Sequence, residues 1–309
     1  MLFRQLEYFV AVAGERHFAR AAEACYVSQP ALSAAIAKLE RELNVTLINR
    51  GHNYQGLTAE GERLVVWAKR ILAEQEAFKA EVAAVQSGIT GTLRLGTEPT
   101  ASTTFVLPVA AFCAKHPLAK VQVRSRLSTM ELHRQLQDFE LDAAIAHFGP
   151  ADREGVQVLP LYTERYLLLA SDQLVNQAAP MTWAEAARLP LALLTPDMSV
   201  RQVIDRVFAG GGVAVSSQLE TDSVASLYAH VGLGGCASII PHTWLRAMPA
   251  GEGMRAVRLV APDVRVQVSV AIHAATPGSF VAREFANAAT GLSLEEFFDQ
   301  SLPSEHRDT

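Results

Sequence analysis

The chain is poor in three features: cysteine, excess positive charge and long apolar runs. Only three of its 309 residues are cysteines. They lie far apart among apolar neighbours, which argues against a disulfide framework and indicates reduced core thiols. Lys and Arg number 27 against 32 Asp and Glu, giving a net charge of −5. No apolar run could span a bilayer and the amino terminus has no signal-type segment, so we expect a cytoplasmic protein.

Patterns for metal and cofactor chemistry are also missing. The Cys, His and acidic residues show no metal-ligand spacing. The glycine-rich string at 232–235 follows a helical pattern and precedes a strand, which is the reverse of the order in a dinucleotide-binding motif. The string at 210–212 lacks the Lys that follows in a phosphate-binding loop. We therefore predict no cofactor and no metal.

The most informative pattern that is present is a pair of short helices joined by a tight turn. An apolar stripe at helical spacing runs from Phe18 to Cys25 and predicts the first helix. Ser28 then stands at an N-cap position and Pro30 in a first turn, so a second helix begins there. This second helix turns an apolar face inward, from Leu32 to Leu43.

The opposite face of the second helix is small and polar, which suits entry into a DNA major groove. Gln and Ser can hydrogen-bond base edges, Pro and Ala can contact a thymine methyl, and Lys or Arg can bind phosphate. The alternative is an ordinary solvated face, since paired amphipathic helices occur in many folds. The candidate DNA-contacting residues are Arg20, Ser28, Gln29, Pro30, Ser33, Ala34, Lys38, Arg50 and His52.

Flanking patterns complete a winged helix-turn-helix. An amphipathic helix precedes the pair, and two short strand patterns at 46–50 and 55–57 predict a hairpin wing. Up to Thr58, six Lys and Arg oppose five Glu, a net charge of +1. Non-specific DNA affinity should therefore be modest, and dimerisation should matter more than usual.

At this point the chain resembles the amino-terminal domain of LysR-type transcriptional regulators. The resemblance rests on Phe18 and Ala21-Ala22, on Ser28-Gln29-Pro30-Ala31-Leu32-Ser33, on Ile36 with Leu39-Glu40, and on Leu57-Thr58-Ala59-Glu60-Gly61. It departs from the family at Ala35, where a glutamine is frequent, and in a wing without the usual arginines. The resemblance implies a DNA-binding domain at 1–58.

A long helix at 59–90 should follow the wing as a linker. Apolar residues recur seven apart, which favours a helix partner in another chain, although packing on the chain's own core also fits. The predicted dimerisation residues are Leu64, Ile71, Phe78, Val82 and Val85.

Beyond residue 91, short apolar strand patterns alternate with helical ones, which predicts an α/β arrangement with mostly parallel sheets. This part resembles the effector-binding half of the same family, itself similar to periplasmic solute-binding proteins. The overall prediction is an α+β multidomain chain ending in a two-lobed α/β effector-binding domain. The resemblance places lobe I at 91–161 and 267–303 and lobe II at 162–266, with hinges near Tyr162 and Val266 and a tail at 304–309.

A ligand would bind between the lobes, where hydroxyl side chains crowd the junction of strand and helix. Hydroxyl donors beside a helix amino terminus predict a cradle for a small anion or carboxylate, although plain N-capping is the alternative for each one. Glu98 interrupts this run and would oppose a large polyanion. The candidate effector-binding residues are Thr97, Thr100, Ser102, Thr103, Ser128, Thr129, His147, Phe148, Ser199 and Arg201.

Two functions remain open at this level. The resemblance implies a regulator that is not an enzyme and binds a two-fold symmetric promoter site. Its partners would be double-stranded DNA, further copies of itself as homodimer or homotetramer, a small-molecule effector and, as a further candidate, RNA polymerase. The alternative is an α/β metabolic enzyme or solute-binding carrier with an amino-terminal oligomerisation region, although no nucleophile–base constellation is apparent.

Overall fold

The computed structural model describes residues 1–50, 54–87, 89–175, 179–274 and 279–303. The chain separates into two compact units. The first is formed mainly by Met1–Thr90 and the second by most of the chain from Gly91 onward. No helix in the described residues is both long enough and apolar enough to cross a membrane.

The first unit is a winged helix-turn-helix continued by a long helix. Its core is built from one face of each of the first three helices, with Phe9, Leu32 and Ile36 fully buried. The predicted hairpin wing is present, and its two strands pair antiparallel. The elements are α1 (Phe3–Glu15), α2 (Phe18–Ala24), α3 (Gln29–Leu43), β1 (Ile48–Arg50), β2 (Tyr54–Leu57) and α4 (Ala59–Ser87).

Gly61 allows α4 to start directly against the wing. A Cβ at this position would lie 2.1 Å from the carbonyl oxygen of Leu47, a distance that no side chain tolerates. Thr58 fixes the same junction, because its hydroxyl donates to the carbonyl of Thr46 and accepts from the Gly61 N–H. The family-like string at 57–61 is therefore a packing requirement of the wing-to-helix turn.

The second unit contains a large mixed sheet and a small parallel one. The strands are β3 (Gly91–Thr97), β4 (Ala119–Arg124), β5 (Ala143–Ala146), β6 (Val156–Ser171), β7 (Met181–Thr182), β8 (Leu191–Leu194), β9 (Ser217–Thr221), β10 (Ser238–Pro241), β11 (Met254–Val260) and β12 (Arg265–His273). The helices are α5 (Val106–Lys115), α6 (Thr129–Gln137), α7 (Trp183–Ala186), α8 (Ser199–Gly210), α9 (Val224–Gly232), α10 (Phe280–Thr290) and α11 (Leu294–Asp299).

Two long strands connect the halves of this unit. β6 and β12 pair antiparallel along their length, from Val156↔His273 to Arg165↔Arg265, with an irregularity at Val268/Ser269. Parallel pairs flank them on one side, where β3 pairs with both β4 and β5, while β10 and β11 pair antiparallel with β6. The prediction of mostly parallel sheets was therefore wrong, because the crossing strands pair antiparallel with each other and with β5, β10 and β11, which makes the large sheet mixed.

Separate hydrophobic cores lie on either side of the crossing strands. One is centred on α6, β5 and the start of β6, with Leu132 and Ala144 fully buried. The other is larger and surrounds β8, α8 and β10, with Leu193, Ile240 and Trp244 fully buried. This is the two-lobed architecture expected from the sequence, while the exact lobe boundaries remain a prediction.

Candidate functional site

The outer face of α3 is the candidate nucleic-acid interface. Ser28 caps the helix by accepting a hydrogen bond from the Ala31 N–H, and Pro30 lies in the first turn, as the sequence predicted. The inner face of α3 packs on the domain core through Leu32, Ile36 and Leu39. Leu43 is 42% exposed, so its assignment to that inner face was wrong; it is the last residue of the helix.

Most of the predicted contact residues lie together on the solvent side of α3. Ser28, Gln29, Pro30, Ala34 and Lys38 are exposed, and Ser33 is half-buried. None of these side chains is bulky enough to hold the helix axis away from a groove. The fold thus presents a narrow polar surface on a helix whose opposite face is packed on the domain core.

The basic residues of this domain are partly committed to internal ion pairs. Arg20 donates to the backbone carbonyl and side chain of Glu15, and Lys38 lies 3.9 Å from Glu42. The side chains of Arg20 and Lys38 remain largely exposed, at 60% and 58%. His52 lies outside the described residues, as does the side chain of Arg50.

Tyr26 is an exposed aromatic residue that was not among the predicted contact residues. It sits in the turn between α2 and α3 with a φ of 55° and is 96% exposed. A bulky residue in the left-handed region is uncommon, and at this turn the backbone places the side chain in solvent next to the start of α3. In the sequence, the break in apolar spacing after Cys25 indicated a turn at Tyr26 but not an exposed contact residue.

The helix α4 carries an exposed apolar groove. Trp67 is 59% exposed and Phe78 is 71% exposed. The groove is lined by Phe3, Trp67, Arg70, Ile71, Glu74, Gln75, Phe78 and Lys79. Exposed aromatic surface of this kind is characteristic of protein–protein contacts.

The residues of the predicted seven-residue repeat along α4 lie in different surroundings in the structure. Leu64 packs against the core of the DNA-binding domain, beside the buried Val65 and Ala68, which fits the alternative of packing on the chain's own core. Its part in dimerisation stays a prediction. Ile71 packs partly on that core and also lines the groove, while Val82 is 43% exposed. The side chain of Val85 lies outside the described residues. The heptad pattern thus serves two surfaces, the domain core near the wing and the exposed groove further along.

A buried polar cluster lies where the two lobes of the second unit meet. Glu98 precedes the 3₁₀ turn Pro99–Thr103 and is 2% exposed. One of its carboxylate oxygens accepts a hydrogen bond from the Thr129 hydroxyl. The other lies 2.8 Å from the Ser199 hydroxyl and 3.0 Å from Nδ1 of His147.

His147 joins Glu98 to a second buried carboxylate. Its Nε2 lies 3.0 Å from Oε2 of Glu164, which is 1% exposed on the crossing strand β6. The other oxygen of Glu164 accepts a hydrogen bond from the Thr243 hydroxyl at 3.1 Å. An imidazole that donates to two carboxylates must carry both protons, so the geometry holds His147 as a cation.

Electrostatics agree with this protonation. Burial lowers the pKa of His147, but the hydrogen bonds and negative charges of Glu164 and Glu98 outweigh it and raise the pKa to about 10. Burial raises the pKa of Glu98, yet the hydrogen bond and charge of His147, with the hydroxyls of Thr129 and Ser199, bring it below its usual range. The triad of two carboxylates and one imidazolium therefore carries a net charge of −1.

Further hydrogen bonds connect the lobes around this cluster. The Thr100 hydroxyl lies 3.2 Å from that of Ser199, and the indole N–H of Trp244 donates to the Thr100 carbonyl at 3.0 Å. The Tyr162 hydroxyl donates to Thr104 at 2.5 Å, close to the predicted hinge. Residues before position 150 thus contact residues from position 199 onward through several polar groups.

Several predicted effector residues have other roles. Ser128 accepts from the Glu131 N–H, which is the N-capping alternative. Phe148 is 7% exposed and belongs to the hydrophobic core of the first lobe, so it does not form a cleft wall. Arg201 donates hydrogen bonds to Asp205, Glu220 and the Leu194 carbonyl. Its guanidinium is therefore held within its own lobe and is not available for the predicted pairing with an effector carboxylate.

The remaining hydroxyls of the predicted cradle lie close in sequence to the cluster without joining its hydrogen bonds. The hydroxyls of Thr97 and Thr103 are buried and without a hydrogen-bond partner in the described part of the chain. Ser102, in the same 3₁₀ turn, is half-buried. Of the ten predicted residues, four therefore meet in one network: Thr100, Thr129, His147 and Ser199.

The residues that organise this network were not predicted as ligand contacts. Glu98 appeared only as an interruption of the hydroxyl run, and Glu164 only as part of a family-like string. Although the cluster contains His and Glu, its groups bond to one another instead of converging on an empty point. Among the described residues no group of three His, Cys, Asp or Glu is arranged to hold a metal ion.

Comparison with known proteins assigns both units to one family. Residues 3–62 match the family model of the bacterial regulatory helix-turn-helix protein, lysR family, and residues 86–292 match the LysR substrate binding domain. A hydrogen peroxide-inducible genes activator of Haemophilus influenzae is 27% identical over 305 residues, covering 96% of this chain and 97% of that protein.

Solved structures share the whole fold. A full-length OxyR variant from Pseudomonas aeruginosa superposes with a TM-score of 0.74 at 24% identity, covering 96% of this chain and 97% of that one. Full-length CbnR in complex with its target DNA gives a TM-score of 0.61 at 22% identity, covering 94% and 99%. The relatives are transcriptional regulators and not enzymes. The chain belongs to the LysR-type family of DNA-binding transcriptional regulators.

Proposed function

We propose that this regulator acts in the bacterial cytoplasm as a dimer or a pair of dimers on a two-fold symmetric promoter site, reading each half-site with α3. The observation that carries the proposal is the solvent side of α3, where the small or polar residues Gln29, Pro30 and Ala34 are exposed and Ser33 is half-buried. Gln29 and Ser33 would hydrogen-bond base edges, while Arg20 and Lys38 would bind phosphates. Tyr26 would add a contact to the DNA phosphate backbone, since its side chain is exposed to solvent beside α3.

The groove on α4 is proposed as the dimer interface. A domain that supplies only six basic residues before the linker helix needs a second copy to gain phosphate contacts. Trp67 and Phe78 are large, exposed and placed on one helix, so a second copy of α4 would remove both from water. Tetramer formation and contact with RNA polymerase belong to the proposal through the family alone.

Small-molecule control is proposed to act between the lobes around Thr100 and Ser199. These hydroxyls come from opposite lobes and lie 3.2 Å apart, so a ligand that binds one of them lies next to the other. A ligand with different affinities for the open and closed lobes would shift their balance and thereby the geometry of bound DNA.

The peroxide response in the name of the Haemophilus relative is not transferred to this chain. Peroxide acts on exposed, ionised thiols. Burial raises the pKa of the Cys25 and Cys236 thiols, and Cys236 is 1% exposed. The described hydrogen bonds of the interlobe cluster involve hydroxyl, carboxylate and imidazole groups, and none involves a thiol.

A gel-shift experiment with variants of α3 tests the proposal. Gln29→Ala and Ser33→Arg should each weaken specific binding by about 1–3 kcal/mol, roughly 5- to 150-fold, at fixed salt with competitor DNA. Glu76→Gln is the matched control, because Glu76 is 70% exposed on α4 and lies outside the groove lining. If both α3 variants discriminate between specific and random DNA as well as the control does, α3 is not the recognition helix.

A further inference from the structure

The carboxylate of Glu98 lies buried between the lobes and is surrounded by hydrogen-bond donors. Its two oxygens receive hydrogen bonds from three side chains on three different elements: Thr129 at the first residue of α6, His147 after β5 and Ser199 at the first residue of α8. Two hydroxyls and one cationic N–H around one carboxylate is the donor set that recognises a free carboxylate in a binding site. Here the carboxylate belongs to the chain.

The site is also closed to a second anion. Glu98, His147 and Glu164 together carry a charge of −1 when the imidazole is protonated, and Glu98 is 2% exposed. The donors that would bind an incoming carboxylate already bind Glu98. Adding another negative charge to this buried cluster would be opposed by both carboxylates.

The contacts of Glu98 also connect the lobes. Glu98, Thr129 and His147 lie in the lobe that holds β3 and β5, whereas Ser199 begins α8 in the other lobe. The Ser199 hydroxyl contacts both Glu98, at 2.8 Å, and Thr100, at 3.2 Å. An acceptor tethered by the backbone binds these donors at a high effective concentration and needs no free ligand.

We propose that Glu98 is an intramolecular ligand that fills the interlobe carboxylate site and holds the lobes together without an effector. Wild-type protein is then insensitive to small carboxylates at this position. Removal of the Glu98 side chain converts the same donors into a site for a free carboxylate. This inference rests on the proposed control of DNA binding through the lobes, but the binding step itself needs no DNA.

Chemical rescue of Glu98→Ala with acetate tests the inference. Thermal unfolding and calorimetric titration of the full chain are followed with sodium acetate, with sodium chloride at equal ionic strength and with acetamide as the neutral analogue. Acetate should stabilise Glu98→Ala saturably, with an apparent affinity at least tenfold above that for wild type, and acetamide should not. Glu252→Ala, which removes an exposed carboxylate in the same unit, should behave as wild type does.

Hydrogen exchange reports whether the rescued contact joins the lobes. Acetate should slow exchange at residues 99–103 and at the start of α8 in Glu98→Ala and leave wild type unchanged. Equal acetate responses in wild type and Glu98→Ala, or a folded Glu98→Ala with no saturable response, would overturn the proposal.

Ser199→Ala provides the decision if Glu98→Ala does not fold. This variant loses the hydroxyl that links the lobes but leaves the charges of Glu98, His147 and Glu164 unchanged. Faster exchange at residues 99–103 with an intact fold supports Glu98 as an intramolecular ligand that holds the lobes together, and unchanged exchange refutes it. These experiments are made without DNA, so a failure of the intramolecular ligand is distinguishable from a failure of operator binding.

Discussion

Removing the imidazole between Glu98 and Glu164 should destabilise the second unit strongly. In His147→Ala, two carboxylates that are 2% and 1% exposed would face each other without a cation. Loss of one partner from a buried ion pair costs about 3–5 kcal/mol, because the remaining charge is left uncompensated. The corresponding control is Arg126→Ala, which breaks the Arg126–Asp222 ion pair, whose side chains are 85% and 65% exposed. An exposed pair contributes about 0–1 kcal/mol.

Urea unfolding at pH 7 measures this difference. Trp183 and Trp244 are buried in the second unit, whereas Trp67 is exposed on α4. A Trp67→Phe background therefore makes tryptophan fluorescence report the second unit. His147→Ala should lose about 3–5 kcal/mol in this background, equivalent to a fall in Tm of roughly 6–20 °C for a unit of this size. If His147→Ala costs no more than Arg126→Ala, the cluster is not a compensated buried ion network.

Three further predictions concern the same surfaces. Because the pKa of His147 is raised to about 10, its contribution to the free energy of unfolding should be complete below pH 6.5 and lost as the pH rises towards 10. Urea titrations across this range should show the fall in wild type. A His147→Gln variant that lost the same stability over the range would contradict this assignment. Phe78→Glu should convert the dimer to a monomer in light scattering at micromolar concentration, because it places a charge in the α4 groove, where Phe78 is 71% exposed in the isolated chain. The control Glu76→Gln should stay dimeric. An unchanged molecular mass in Phe78→Glu would show that the groove is not the dimer interface. Hydrogen peroxide should leave DNA affinity unchanged in gel shifts, because the cluster contains no thiol; a reversible shift abolished by Cys→Ser replacement would disprove this.

Local sequence signals predicted the DNA-binding unit well. Ser28 and Pro30 define the start of α3 through interactions within four residues, and apolar spacing identifies its buried face. The pattern on α4 was harder to interpret, because a seven-residue repeat and packing on a domain core both place apolar residues on one helix side. Leu64 and Phe78 fall in the same repeat, yet one is packed on the core and the other is exposed.

The interlobe cluster could be predicted only in part. Hydroxyls after two strands indicated a polar site, and His147 was expected near it. The role of Glu98 was not predictable, since its partner Ser199 lies 101 residues away and their approach depends on how the lobes close. Arg201, two residues beyond Ser199, shows the converse: a side chain suited to a carboxylate ligand is held by Asp205 and Glu220 of its own lobe.

The most direct test of this account is a footprint titration on the DNA immediately upstream of the protein's own gene, at fixed salt with non-specific competitor. Recognition through α3 predicts protection of two half-sites related by two-fold symmetry, centred about one helical turn or a multiple of it apart. The same protection should be lost in Gln29→Ala at equal protein concentration. Uniform protection without symmetric half-sites, or an identical footprint from Gln29→Ala, would contradict recognition through α3.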